Sequence, residues 1–517
     1  MKFTFFTFLL SILLTPAAQA GRAIVFMKDR QAFETARLPV KVQKHLKNLN
    51  TFIVEAPHES QLQALKNLPG VSYVEKEHNH PLGLRPQKQS RLANIAIDRA
   101  ERTWGLEAIK APQAWDLAGK GQGIRVLVLD TGIDPKHPSL KDNFEKGRDF
   151  TGLSKGEDFT DQTGHGTHVA GTVAAVENNA GFAGVAPKAK ILAGRVCSEM
   201  GCNNVAMIEG LDWGVSEKVD VINLSLGSTS SSPAEQEAIL RADRAGISVV
   251  AATGNYGIDS VLFPAAYPSV IAVGAVDRNM EIASFSQYGP EVTVVAPGVE
   301  VISTYPVGKG RKSFLTLKVG ARRIQSSIDL MMGTTPSWNP QEMTVVDCGR
   351  GRPEDFKGKD LTGKIALVAK TNQNFADQIR SAMLAGSRHV LIYNTDDQYT
   401  DLRLFEKENS LFASAYLIDA KLGWELRSLL AAGKNPVVSL QTIGTNYFET
   451  FGTSMASPHV AGVVALIKAT NKKLTPAQIK SLLIKTALPL TPNDHNKFGA
   501  GLVDAQAAVI EAQRLLK

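Results

Sequence analysis

From Trp104 onward the chain repeats one pattern, a short apolar run followed by a stretch with helical spacing. The runs at 124–129 (Ile-Arg-Val-Leu-Val-Leu), 190–193, 219–224, 247–252 and 270–276 are too apolar for strands with one wet face. Helical stretches at 205–216 and 233–245 separate several of them. Near-continuous hydrophobic strands between helices predict a parallel sheet covered on both faces, an α/β core of three layers.

The alternation pauses near Tyr305, and a different unit follows to about residue 443. It has its own strand–helix–strand signature: apolar at 364–369, helical at 375–385, apolar again at 389–393. Residues 311–443 therefore read as a domain inserted in a loop, and their length is ordinary for a domain. The first pattern resumes at Gly452 and ends in helices at 475–487 and 503–516, so 101–310 and 444–517 form one core.

Ahead of that core, 21–80 reads as a small α+β unit. Strands are predicted at 23–27, 51–55 and 71–75, and Leu62, Leu65 and Leu68 lie at helical spacing within 58–68. Residues 81–100 are polar and basic and read as an exposed linker open to cleavage. Lys2, an apolar run at 3–14 and Ala-Gln-Ala at 18–20 describe a secretory signal, 1–20, cut after Ala20. That run is too short to cross a bilayer. A secreted, extracellular protein without a stable membrane anchor is expected.

Composition narrows the function classes. A chain of 517 residues, 44% hydrophobic, can bury more than one core. Three Cys rule out a scaffold that depends on disulfides. The net charge of +7 would suit a nucleic-acid binder, but 21–95 hold 12 Lys and Arg against 6 Asp and Glu. Residues 96–517 carry 44 of each sign, so no net attraction to phosphate survives removal of 1–95, and nucleic acid is not an expected partner.

Three segments carry chemistry. An apolar strand ends in an acid, Val126-Leu-Val-Leu-Asp130-Thr-Gly-Ile-Asp134. Gly164-His165-Gly-Thr-His168-Val-Ala-Gly171 is a glycine-flanked His opening an apolar helix. Gly452-Thr-Ser454-Met-Ala-Ser-Pro458-His-Val-Ala-Gly462 is a Ser opening another. Each residue type suits one role in acyl transfer. Ser454 can attack a carbonyl once a base takes its proton, and His165 has the pKa for that duty. Asp130, at the carboxyl end of a strand, can hold the imidazole in one tautomer. A fourth piece, the Thr253-Gly254-Asn255 turn, offers a side-chain amide to a developing oxyanion beside the Ser454 N–H at a helix start.

These four segments, in Asp, His, Ser order, resemble the subtilisin-like serine peptidases. The resemblance covers roughly 104–305 and 444–517. It implies a subtilisin-like fold and a serine endopeptidase that hydrolyses proteins or peptides through an acyl-enzyme. Catalytic roles for Asp130, His165 and Ser454, and an oxyanion hole from Asn255 and the Ser454 amide, are the family's. It further implies that Ser225-Leu226-Gly227, with Gly254, binds substrate by strand addition. Residues 21–80 resemble the family's inhibitory prosegment, a ferredoxin-like intramolecular inhibitor removed at maturation. The insert, with Asp347-Cys-Gly, Gly363-Lys-Ile-Ala-Leu and Ala385-Gly, resembles a protease-associated (PA) domain.

No cofactor is expected for catalysis. Structural Ca2+ is a family habit: Asn178 matches one ligand position, but Ser139 stands where an acid is expected and Ala100 where a side-chain oxygen is. His168 and His459 read as packed core histidines, because no third ligand is placed to complete a zinc site. Cys197 and Cys202 enclose a four-residue loop and are expected to pair in an exported protein, leaving Cys348 alone and buried. Tyr256 and 260–263 are expected to border the pocket for the residue before the cut and to favour apolar side chains. An alternative from another class is a secreted binding protein whose peptidase core is vestigial. An α/β-hydrolase esterase is excluded, since that class has Ser first, in a Gly-x-Ser-x-Gly elbow.

Overall fold

Seven strands build one wholly parallel sheet: β1 (Arg125–Asp130), β2 (Phe144–Asp149), β3 (Lys190–Arg195), β4 (Val221–Leu224), β5 (Ser248–Ala252), β6 (Ile271–Val276) and β7 (Val294–Pro297). The computed structural model describes residues 21–56, 58–80, 99–153, 158–177, 182–331, 333–371, 374–395 and 412–516, with backbone alone at 99–103. The signal segment and nearly all of the linker lie outside them. A helix, Arg99–Ala108, takes in the last two linker residues.

The strand order is β7-β6-β5-β4-β1-β3-β2. From β1 the chain runs out to the edge strand β2 and returns to β3 between them, and β4 to β7 then wind outward on the other side of β1. The order reverses between β1 and β4, and open parallel sheets place their crevice outside the carboxyl ends at such a point. Asp130 ends β1, and Ser225 follows β4 directly.

Helices complete the three-layer α/β core: α1 (His165–Ala174), α2 (Asn204–Glu217), α3 (Pro233–Arg244), α4 (Thr453–Thr470), α5 (Pro476–Thr486) and α6 (Ala505–Arg514). All ten residues of α1 and residues 453–468 of α4 are buried, which a helix apolar all round requires. These two helices pack on each other, and α4 also crosses β4 to β7. Gly462 lets α4 also lie close against the segment between α1 and β3, since a Cβ there would lie 2.4 Å from Val185 Cβ.

The insert is a closed seven-stranded barrel with strands from Gly310–Val319 to Val437–Thr445, which pair with each other antiparallel. It has two cores, one around Leu315, Tyr393, Tyr416 and Leu440, the other around Ile379, Val390, Ile392 and Cys348. Cys348 is the one free cysteine among the described residues, and burial pushes its thiol pKa up to about 11. The insert is carried on a two-stranded neck, Val301–Thr304 against Tyr447–Thr450. That neck is sewn to α1: Ser303 Oγ donates to the His168 carbonyl (2.8 Å) and Thr304 Oγ1 to the Thr167 carbonyl (2.7 Å).

The described residues from Gly21 to His78 form a separate compact unit. Its antiparallel sheet has the order Val42–Leu46, Thr51–Glu55, Arg22–Met27, Val71–Lys76, with helices Arg30–Thr35 and Glu59–Lys66 in the two crossovers. Val25, Phe33, Phe52, Val54, Leu62 and Leu65 make its core.

Candidate active site

Asp130 is 1% exposed, His165 7% and Ser454 5%, and all three sit at the carboxyl edge of the sheet. Asp130 ends β1, His165 opens α1 and Ser454 is the second residue of α4. His165 Nδ1 donates to Asp130 Oδ1 at 2.7 Å, and the Thr131 N–H donates to the same oxygen at 2.7 Å. With Nδ1 so committed, the neutral ring presents a bare Nε2, which has no partner among the described residues. The Ser454 hydroxyl donates to the Ser225 carbonyl (3.1 Å) rather than to His165. Catalytic hydrogen bonds are often unformed without substrate, and rotation about the serine Cα–Cβ bond redirects this hydroxyl.

Burial pushes the His165 pKa down, but the charge of Asp130 and its hydrogen bond outweigh that and hold it above the ordinary histidine value. The charge of Asp161 acts in the same direction. Sequence reading missed Asp161. Its buried carboxylate accepts from Thr131 Oγ1 (2.9 Å), Thr163 N (3.0 Å), Thr163 Oγ1 (3.2 Å), Gly164 N (2.8 Å), Thr167 N (2.9 Å) and Thr167 Oγ1 (2.7 Å). It does for α1 the capping work that the N-cap residue, Gly164, cannot. An acid four residues before the helical His was the available signal.

Gly164 itself has φ +93°, and a Cβ there would fall 2.1 Å from the Tyr305 ring. The Tyr305 hydroxyl donates to the Thr163 carbonyl at 2.7 Å, fixing the approach to His165.

Asn255 is held by its carbonyl end. Oδ1 accepts from Thr453 N and Thr453 Oγ1, both at 2.9 Å, which turns Nδ2 the other way. A Cβ on Gly452 would lie 3.3 Å from Asn255 Nδ2 and 3.6 Å from Ser454 N. The two prospective oxyanion donors thus converge on a space that exists because residue 452 has no side chain. The Ser454 N–H, in the first turn of α4, makes no backbone bond among the described residues.

The predicted substrate segment Ser225-Leu226-Gly227 leaves the end of β4 without ladder partners. Ser225 Oγ donates to the Ser454 carbonyl at 2.8 Å, locking the two segments together. Gly254 N donates to Thr453 Oγ1 at 3.1 Å.

Cys197 and Cys202 form a disulfide closing a hairpin of Cys197–Ser198 and Gly201–Asn203. The base of that hairpin abuts the site, since the Val196 N–H donates to the Asp130 carbonyl at 2.8 Å.

His168 Nε2 reaches the carbonyls of Val301 and Phe448, each at 3.1 Å, across the neck. Burial and the neighbouring His165 push its pKa down to about 3, and burial pushes that of His459 down to about 4. Both are neutral packing groups. Among the described residues no three His, Cys, Asp or Glu side chains are grouped to hold a metal. Ser139, 1% exposed, shares a hydrogen bond of 2.8 Å with the Tyr447 hydroxyl. Asn178 lies outside the described residues.

Comparison with known proteins gives the family. The Subtilase family profile matches residues 121–335 and 414–501. This chain belongs to the subtilase family. A PA domain profile matches residues 341–426, inside the barrel. The subtilase is 37% identical over 308 residues to the alkaline protease of Alkalihalobacillus alcalophilus, covering 59% of this chain and 75% of that protein. It is 43% identical over 238 residues to subtilisin Savinase of Lederbergia lenta, covering 46% of this chain and 86% of that protein. Among solved structures it is similar to the psychrophilic subtilisin-like protease Apa1 from the Antarctic psychrotroph Pseudoalteromonas sp. AS-11. The TM-score is 0.57 at 26% identity, over 79% of this chain and 98% of that one. This subtilase is accordingly a serine-type endopeptidase with a PA insert.

Proposed function

We propose that this chain is a secreted endopeptidase made as an inhibited precursor, with Ser454, His165 and Asp130 as its catalytic triad. The buried His165–Asp130 bond at 2.7 Å is the observation that carries the reading. A carboxylate there fixes the tautomer that leaves Nε2 as a base facing the crevice, and it stabilises the imidazolium that forms.

In this account His165 Nε2 takes the Ser454 proton as Oγ attacks the scissile carbonyl. The negative oxygen that forms is received by Asn255 Nδ2 and the Ser454 N–H. His165 then gives its proton to the leaving amine, and water repeats the sequence on the acyl-enzyme. Every group used belongs to this chain. The substrate backbone extends along Ser225–Leu226–Gly227, across from the Thr253–Asn255 turn.

Residues 1–20 act as the export signal, 21–80 as the inhibitory prosegment and 81–100 as the stretch cut at maturation. Asn79 and His80 support the inhibitor reading. They add antiparallel to Cys202 and Asn203, beside the site, as a bound peptide would.

Asn255→Ala tests the assignment. It should lower kcat on a peptide amide about 10²–10³-fold with little change in KM, because the lost donor acts on charge that develops only in the transition state. That magnitude is taken over from subtilisin, a member of this family. An unchanged kcat in a folded variant would remove Asn255 from the oxyanion hole.

A further inference from the structure

We propose that Leu262 closes the pocket for the residue before the scissile bond, so that this endopeptidase cuts after small side chains such as Gly, Ala or Ser. The inference rests on the reading of Ser454 as nucleophile and adds the class of substrate.

Two strand ends flank Ser454. One, Ser225 to Gly227, is tied to it through the Ser225 carbonyl (3.1 Å). The other, Thr253 to Asn255, is tied to its neighbour Thr453 through the Gly254 N–H (3.1 Å). With the substrate backbone on Ser225–Gly227 as proposed above, the side chain of the residue before the cut enters the slot between these ends. The segment that crosses below the slot is bonded to both. Leu262 N donates to the Thr253 carbonyl (2.9 Å), while Ser228 and Phe263 exchange backbone hydrogen bonds of 2.7 and 2.9 Å.

The Leu262 side chain points into that slot. A Cβ on Gly227 would lie 2.9 Å from Leu262 Cβ and 3.1 Å from its Cδ1. A Cβ on Gly254, from the opposite wall, would lie 2.8 Å from the same Cδ1. One methyl group therefore touches both walls, and Leu262 is only 4% exposed. The room that two glycines create is already filled by leucine rather than left open to a ligand.

The remaining side is closed by Gln287, 0% exposed, whose Oε1 would stand 2.0 Å from a Gly254 Cβ. Its amide is committed, Nε2 to the Ser260 carbonyl and Oε1 to the Tyr256 N–H. No charge at this floor calls for a basic residue. A methyl or hydroxymethyl group fits above Leu262, whereas a phenyl ring would have to displace a side chain wedged in a close-packed wall. The apolar preference expected from 260–263 thus narrows to small residues.

The test compares tetrapeptide amides that differ only in Ala or Phe before the leaving group. Wild type should favour Ala in kcat/KM by about 100-fold, the discrimination that one or two misfitting methylenes produce. Leu262→Ala should shift the Phe-to-Ala ratio upward by about 10–100-fold. Leu262→Val, a smaller cut into the core, should move the ratio in the same direction. A second readout needs no turnover: the affinity of Ser454→Ala protein for product peptides ending in Ala or Phe, with and without Leu262→Ala. Wild type cutting after Phe as fast as after Ala, or ratios unmoved by either Leu262 variant, would overturn the inference. Absence of hydrolysis on every peptide would count against Ser454 as nucleophile, and the affinity ratio would still judge the pocket.

Discussion

Ser454→Ala should lower kcat by about 10⁶ while leaving a folded chain. The factor is carried over from subtilisin, a member of the same family. The site explains why stability should survive. Ser454 loses one hydrogen bond, to the Ser225 carbonyl, worth about 0.5–1.5 kcal/mol. Its backbone remains fixed, because the Ser225 hydroxyl still donates to the Ser454 carbonyl. Activity on a chromogenic peptide, a thermal melt and N-terminal sequencing check the three parts together. The variant should melt near wild type, hydrolyse nothing measurable and keep residues 21–80 attached. Residual activity within a few-fold of wild type would place the nucleophile elsewhere.

Asp130→Asn should cost about 10⁴ in kcat and also move the pH profile. An amide that donates to Nδ1 stabilises the opposite tautomer, in which Nε2 carries the proton and cannot accept one from Ser454. The pH effect follows from the forces on His165. Burial lowers its pKa, and Asp130 more than cancels this by charge and hydrogen bond. The reaction needs the neutral ring, so wild-type kcat/KM should rise with pH through a midpoint above the ordinary histidine value. Without the Asp130 charge, burial is opposed chiefly by Asp161, and the acid limb should move to lower pH. A limb that stays in place would mean that another group controls it.

The sheet and the catalytic motifs were legible because their signals are local. A buried parallel strand is an apolar run, and β1, β4, β5 and β6 fall within a residue or two of the runs at 124–129, 219–224, 247–252 and 270–276. The edge strand β2 was not legible, since Phe-Glu-Lys-Gly-Arg-Asp carries four charges and mostly exposed or half-buried positions. The insert showed its two apolar strands and one helix, but not its barrel. Closure there pairs Gly310–Val319 with Val437–Thr445, more than a hundred residues away, and no short window contains that contact. The same holds for the neck, whose strands pair across the whole insert.

Within the site, residue type pointed to the groups proposed to do the chemistry. It did not identify those that hold them. Asp161 is an acid in an unremarkable loop until the fold brings six donors onto it. Leu262 is one more apolar residue until Gly227 and Gly254 are seen on either side.

Whether a hydroxyl, an imidazole and a carboxylate from three distant segments act as one unit is read most directly by a fluorophosphonate. The mature protein should take up one label per chain, on the tryptic peptide containing Ser454, and His165→Ala should take up almost none. A folded mature chain that stays unlabelled, as a binding protein with a vestigial core would, or that carries the label on another residue, would contradict the assignment.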